Sequence, residues 1–221
     1  MLYLVSTPIG NLEDLGLRAL RVLQQVPIII CERPTHTLRL LNHFQIIDKR
    51  LLAYSEAGKT RQIPQIIKLL QVEDAAFVSD AGTVSVSDPG PELIAAARKQ
   101  GIQISSVPGP SSLTAAIALS GKRMNEFVFA GFLPKKQKKL RELIENCQAQ
   151  EMPLIAFEAP HRIEKTLHLV QEYYPEKNII LVSEISKIHE KVLMGKAWEL
   201  LQLIDTDKQL AKGEFVMILD A

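Results

Sequence analysis

Short apolar runs bounded by turn residues alternate along the chain with longer segments whose apolar positions recur every three to four residues. Tyr3-Leu4-Val5 reads as a buried strand that stops at Thr7-Pro8. Leu17 to Gln25 puts apolar side chains at 17, 20 and 23, one face of a helix. Ile28 to Cys31 is a β-branched run, which Arg33-Pro34 breaks, and Thr37 to Phe44 reads as helical. Gln62 to Gln71 is a further helix, with Ile63, Ile66, Ile67 and Leu70 on one side. Ala75 to Val78 is a strand that runs into Ser79-Asp80-Ala81-Gly82. Pro91 to Gln100 is a helix, and Gly101 stands where a C-terminal capping glycine belongs. Gln103 to Val107 is a strand closed by Pro108-Gly109-Pro110, after which Ser111 and Ser112 can cap a small-residue helix, Leu113 to Leu119.

This βαβα order predicts an α/β fold with a mostly parallel sheet and helices on both faces. Ser120 to Arg123 reads as a boundary, so the expected domains are 1–119 and 120–221. In the second, apolar strands are expected at Phe127 to Phe129, Leu154 to Phe157, Ile179 to Val182 and Phe215 to Leu219. Helices are expected at Lys139 to Gln148 and Ile163 to Tyr173, giving a second α/β domain with a mixed sheet.

Composition narrows the function. Of 221 residues, 47% are apolar and 23% charged, which excludes a disordered or low-complexity chain. The net charge is +1, and the two halves are separately balanced, so neither is a basic module that grips nucleic acid without regard to shape. Any such contact is local. Cys31 and Cys147 are the only cysteines and have no metal-ligand spacing, so neither a disulfide framework nor a metal site is expected. The N-terminus lacks a cationic leader and no apolar run is long enough for a bilayer, so the expected location is the cytoplasm.

Three turns rich in small residues follow strands of the first domain: Thr7 to Asn11, Ser79 to Thr83 and Pro108 to Ser112. In a parallel sheet such turns gather at the carboxyl edge, where ligands bind, although each alone is also ordinary βα punctuation. Asp88-Pro89-Gly90 adds a further acidic turn. Gly58-Lys59-Thr60 ends like a phosphate loop but has Ala53 where the leading glycine belongs. In the second domain Lys135, Lys136, Lys138, Lys139 and Arg141 place five cations within seven residues at a helix start. Positive charge there opposes the helix dipole, so a phosphate backbone is an alternative to a merely solvated face. Glu158-Ala159-Pro160-His161-Arg162 puts a carboxylate, an imidazole and a guanidinium at one strand end, either as a site or as a Glu–Arg pair opening a helix.

Taken in order, Thr7 to Leu12, Leu40 to Phe44, Ser79 to Thr83, Ser87 to Gly90, Pro108 to Ser111, Gly131 to Lys136, Glu158 to Arg162 and Lys212 to Phe215 resemble the tetrapyrrole methylase superfamily. Within it the likeness is to the branch that methylates the ribose 2′-hydroxyl of a cytidine in small-subunit ribosomal RNA. The resemblance implies two α/β domains, S-adenosylmethionine as cofactor, a homodimer, and ribosomal RNA or the small ribosomal subunit as partner. Carried over by position, the cofactor would touch Pro8, Asp80, Ala81, Gly82, Thr83, Ser111 and Ser112 in the first half. In the second it would touch Phe157, Ala159, Pro160 and Gly213. Glu32 and His36, with Glu158 behind them, are the residues expected to take the hydroxyl proton, and Lys135, Lys136, Lys138, Lys139, His161 and Arg162 to hold phosphates.

The chain departs from the family pattern in several places, among them Val84, which follows Gly82-Thr83 where the family has Pro. Arg33-Pro34-Thr35 stands where the family has Asp-Thr-Arg, and Tyr54-Ser55-Glu56-Ala57-Gly58 where it has Tyr-His-Glu-His-Asn. These changes leave two other readings open: the same chemistry on a tetrapyrrole or other small molecule, or a binding protein without turnover.

Overall fold

The computed structural model describes residues 1–220. The chain divides into two compact units, Met1–Ser111 and Ser112–Ala221.

The first unit is a five-stranded sheet in which every neighbouring pair is parallel. Its strands are β1 (Leu2–Val5), β2 (Ile28–Cys31), β3 (Arg50–Ala53), β4 (Ala75–Val78) and β5 (Ile104–Val107), in the order β3-β2-β4-β1-β5. Four helices connect them: α1 (Leu17–Gln25), α2 (Pro34–His43), α3 (Lys59–Leu70) and α4 (Pro91–Lys99). Alternation along the strands sends side chains to opposite faces. Ile29, Cys31, Ala76 and Val78 pack with α1 and α2, while Ile28, Ile30, Ala75 and Phe77 pack with α3 and α4. A strand such as β2, buried at all four positions, must therefore be apolar throughout.

Helix α2 begins three residues earlier than its apolar spacing indicates. Pro34 occupies its first turn, where a missing N–H costs nothing and a fixed φ favours the helix. Gly101 has φ +70 beyond α4, the left-handed conformation expected of a capping glycine.

The second unit opens with α5 (Ser112–Leu119) and contains β6 (Val128–Phe132), α6 (Gln137–Ala149), β7 (Leu154–Glu158), α7 (Ile163–Tyr173) and β8 (Asn178–Ser183). It closes with β9 (Lys191–Lys196), α8 (Ala197–Thr206) and β10 (Phe215–Leu219). The sheet order is β6-β7-β10-β8-β9. Only β6 and β7 run parallel; the other pairs are antiparallel, so the sheet is mixed. Leu140, Ile144, Leu167, Val170, Leu200 and Ile204 from α6, α7 and α8 bury one face of it together with Phe215, Met217 and Leu219.

Candidate active site

The order of the first sheet determines where a ligand can enter. Strands β1 and β4 are neighbours, but β1 continues into α1 on one face while β4 leads through its loop to α4 on the other. Diverging connections leave a crevice at the carboxyl ends of two adjacent strands, the place where open α/β sheets bind ligands. All three small-residue turns meet there. Thr7 and Gly82 exchange backbone hydrogen bonds of 2.9 and 3.0 Å, and the Ser6 and Thr83 hydroxyls lie 2.7 Å apart. Ser6 N–H donates to Val107 O at 3.1 Å, and a Cβ on Gly109 would come within 3.1 Å of the Ser6 Cβ. A side chain at 109 would crowd Ser6 unless the turn moved by a few tenths of an ångström, so glycine suits this close approach.

A cavity of about 220 Å³ opens beside this junction, lined among others by Thr7, Pro8, His36, Thr37, Ser79 and Asp80. Two expected cofactor contacts, Pro8 and Asp80, thus share a wall with His36. Asp80 accepts a hydrogen bond and ion pair from the Arg33 Nε through Oδ2. Its other oxygen, Oδ1, is buried with no hydrogen-bonding partner. A buried carboxylate oxygen left in this way is costly unless a donor arrives, and a cationic donor suits it best. Ala81 is exposed on the same loop, whereas Gly82 and Thr83 are engaged with Thr7 and Ser6.

Glu32 follows β2 and is half-buried, and Asp88 lies close enough for the two charges to interact. Burial, then the charges of Glu32 and Asp80, push the Asp88 carboxyl up to about 6, while the Ser79 hydroxyl pulls the other way. Asp88 was not among the residues assigned from the sequence. The signal was the second acidic turn, Asp88-Pro89-Gly90, but only folding brings it beside Glu32 and Asp80. Its loop is strained: Ser85 and Ser87 adopt φ +70 and +66, rare for residues with a side chain. Arg33, a departure from the family pattern, is the partner of Asp80. Among the described residues no group of three His, Cys, Asp or Glu could hold a metal ion.

The second unit also gathers its loops at one edge. Strand β6 is parallel to β7, and β10 opens opposite the ends of β7 and β8, with Phe215 facing Glu158 and Ser183. Phe157, an expected cofactor contact, stacks edge-on with Phe129 and Phe132, ring centroids 5.1 and 5.5 Å away. Phe132 is 57% exposed, because a bulge at Gly131, φ +63, turns the end of β6 outward. Ala159 and Pro160 follow directly, half-buried and exposed.

Gly213 has φ +97 and lines a second cavity of about 490 Å³ with Ser183, Glu184, His189, Lys191 and Lys212. A Cβ on it would lie 2.5 Å from the Glu184 Cγ, so this position requires glycine twice over. Ser111 ends the first unit and Ser112 is the first residue of α5.

The Glu158 side chain has no exposed surface. Its Oε1 accepts from the Ala159 N–H at 2.8 Å and lies 3.3 Å from the Arg162 Nε, and its Oε2 accepts from the Thr166 hydroxyl at 2.7 Å. Both oxygens are occupied, so Glu158 anchors the start of α7 and is not placed to receive a substrate proton. Arg162 is likewise engaged, donating to Leu133 O at 3.0 Å and Pro134 O at 3.2 Å. His161 and Lys135, Lys136, Lys138 and Lys139 are all exposed. Lys138 meets Glu142 at 3.9 Å, and Arg141 lies over the Tyr173 ring at 4.3 Å.

A parallel sheet with a loop-built crevice at its switch point, joined to a mixed α/β unit whose loops also converge on one edge, defines a ligand-binding α/β protein of two units. The profile of the tetrapyrrole (corrin/porphyrin) methylases matches residues 1–201. The chain belongs to this family and is a methyltransferase by class.

Its relatives include proteins called ribosomal RNA small subunit methyltransferase I. That of Coprothermobacter proteolyticus is 40% identical over 219 residues, covering 99% of this chain and 96% of that protein. That of Thermotoga maritima is 36% identical over 99% and 97%, and that of Xylella fastidiosa 42% over 98% and 80%. Among solved structures, a diphthine synthase superposes with a TM-score of 0.81 at 14% identity, covering 100% of this chain and 89% of that one. A uroporphyrin-III-C-methyltransferase from Thermus thermophilus gives 0.63 at 22%, over 98% and 93%. At these identities the two structures speak to the fold alone.

Proposed function

We propose that this methyltransferase uses S-adenosylmethionine to methylate the 2′-hydroxyl of a cytidine ribose in small-subunit ribosomal RNA. The names of its full-length relatives support the ribosomal substrate, and the resemblance of its ordered motifs supports the ribose position. The structural observation that carries the nucleic-acid reading is the start of α6. Four exposed lysines stand at a helix N-terminus that has no acidic residue in its first turn and no side-chain cap. Such an arrangement lowers helix stability and suits a phosphate backbone.

The crevice fits the cofactor. The unpartnered Asp80 Oδ1 suits the ammonium of a methionine moiety, Pro8 offers a small, uncharged wall beside it, and Ala81 is exposed next to Asp80 in the chain. Gly82 and Thr83 would set the shape of that wall through Thr7 and Ser6. Ser111 and Ser112, which end the third small-residue turn, would supply hydroxyls. When bound, S-adenosylmethionine supplies an electrophilic methyl group on a sulfonium, for which no metal is required.

The chain's own residues then align and deprotonate. A ribose hydroxyl is a weak nucleophile near neutral pH, so a proton acceptor within hydrogen-bond reach is needed. Glu32, after β2, and His36, in the first turns of α2 and on the wall shared with Asp80, are the groups assigned to that task. Lys135, Lys136, Lys138, Lys139 and His161 hold phosphates and so fix the ribose in line.

Mass spectrometry of ribosomal RNA nucleosides from cells with and without the gene tests this reading. A 2′-O-methylcytidine that disappears with the gene is the expected result. An unchanged small-subunit RNA, together with methyl transfer to a porphyrin-like acceptor, would replace it with the small-molecule reading. Tight cofactor binding without transfer to any acceptor would leave a binding protein.

A further inference from the structure

The five-cation cluster has to leave the sheet at a defined point if it is to hold an RNA strand in register, and the structure shows what defines that point. Leu133, two residues before Lys135, is buried in the core, 2% exposed. Its N–H donates to Phe157 O at 3.1 Å, tying it to β7. Its carbonyl and that of Pro134 both accept from the Arg162 Nη2, at 3.0 and 3.2 Å. The guanidinium is itself held by Glu158, 3.3 Å from the Nε, and Glu158 is held in turn by the Ala159 N–H and the Thr166 hydroxyl. Beyond Pro134 the lysines are exposed, and α6 begins with no side-chain cap.

We infer that Arg162 is a positioning residue for the RNA-binding loop: clamped by the buried Glu158, its guanidinium forks onto the Leu133 and Pro134 carbonyls and fixes where the lysine cluster starts. It is therefore not a phosphate ligand itself. The inference rests on the RNA reading above for its consequence, but not for its geometry.

The choice of arginine follows from the geometry. A planar guanidinium presents donors in two directions, one towards the carboxylate and one towards the carbonyls. A lysine ammonium keeps the charge beside Glu158 but cannot span both. Alanine, by contrast, leaves a buried carboxylate without its cation and risks the fold.

The discriminating variant is accordingly Arg162→Lys, with Thr166→Val as a control that weakens the same buried network without touching the loop carbonyls. Two readouts are needed. Trypsin cleavage at Lys135 to Lys139 is followed at a temperature where both variants are folded. Arg162→Lys should be cut severalfold faster than the unaltered protein, and Thr166→Val at the unaltered rate. In methyl transfer to small ribosomal subunits, Arg162→Lys should raise KM about tenfold with kcat within twofold, and Thr166→Val should leave both unchanged.

Unaltered trypsin sensitivity in Arg162→Lys overturns the inference. Faster cleavage with an unaltered KM also overturns it, because the loop would then be free without consequence for substrate. If the unaltered protein transfers no methyl group to small subunits, the RNA reading fails, and the cleavage rates alone decide whether Arg162 fixes the loop.

Discussion

Asp80 carries the most weight of any single residue. One of its oxygens is paired with Arg33 and the other is buried without a donor. The vacant acceptor makes the site ready for a cation, and the chemistry of the side chain decides the outcome. Asp80→Asn keeps the shape but removes the charge. Titration calorimetry should show S-adenosylmethionine affinity reduced at least tenfold, and an unchanged affinity would move the cofactor elsewhere.

Asp88 makes a different prediction, because its carboxyl is pushed up to about 6 from an ordinary 3.8. A raised carboxylate pKa favours the folded state fully below about pH 4, where the group is neutral in both states. That contribution fades as pH rises through 6, when the charge has to be carried beside Glu32 and Asp80. Asp88→Asn should therefore stabilise the protein at pH 7.5 by on the order of 1 kcal/mol, after allowance for partial exposure, and by nothing at pH 4. Urea unfolding at the two pH values measures the difference. A variant equally stabilised at both would mean that the charge is not the cause.

At the scale of elements, the role proposed for α6 sets function against stability. Its first turn carries Lys138 and Lys139 where acidic residues would complement the dipole. Replacing Lys135, Lys136, Lys138 and Lys139 by glutamine should leave the helix as stable or firmer, by up to about 1 kcal/mol, less the small Lys138–Glu142 contribution. The same variant should methylate ribosomal RNA more weakly and with a shallower dependence on salt, since fewer counterions are displaced. Stability and RNA methylation measured together test this. A variant that keeps full activity and its salt dependence would return the lysines to a solvated surface.

The elements that periodicity missed have a common cause. Strand β3 lies at a sheet edge, its four residues all partly or fully exposed, so its apolar content is diluted. Strand β9 is the other sheet's edge strand, and its Lys191 and Lys196 ends and Gly195 hide the three apolar residues between them. Helix α8 follows β9 without a turn residue. Its cap comes from Glu199, which reaches back to accept from the Lys196 N–H at 2.7 Å.

For the whole molecule, a net charge of +1 confines any contact with nucleic acid to a local patch. Among the described residues no helix is long and apolar enough to cross a membrane. The sequence by itself determined the strands buried on both faces, because a residue covered by helices from either side must be apolar at every position, and Ile28 to Cys31 has no other use. It likewise determined the parallel first sheet, from the alternation of strand and helix, and the small-residue turns, whose motifs stand in family order.

Tertiary structure alone decided how the polar groups are shared out. Asp88 joins Glu32 and Asp80 only because β2 and β4 are neighbours, a pairing between segments more than forty residues apart. Glu158 reads as a catalytic carboxylate until the fold surrounds it with Ala159, Arg162 and Thr166. A side chain's type fixes what it can bond to. Whether its bonding capacity is left over for a ligand depends on which neighbours the packing supplies.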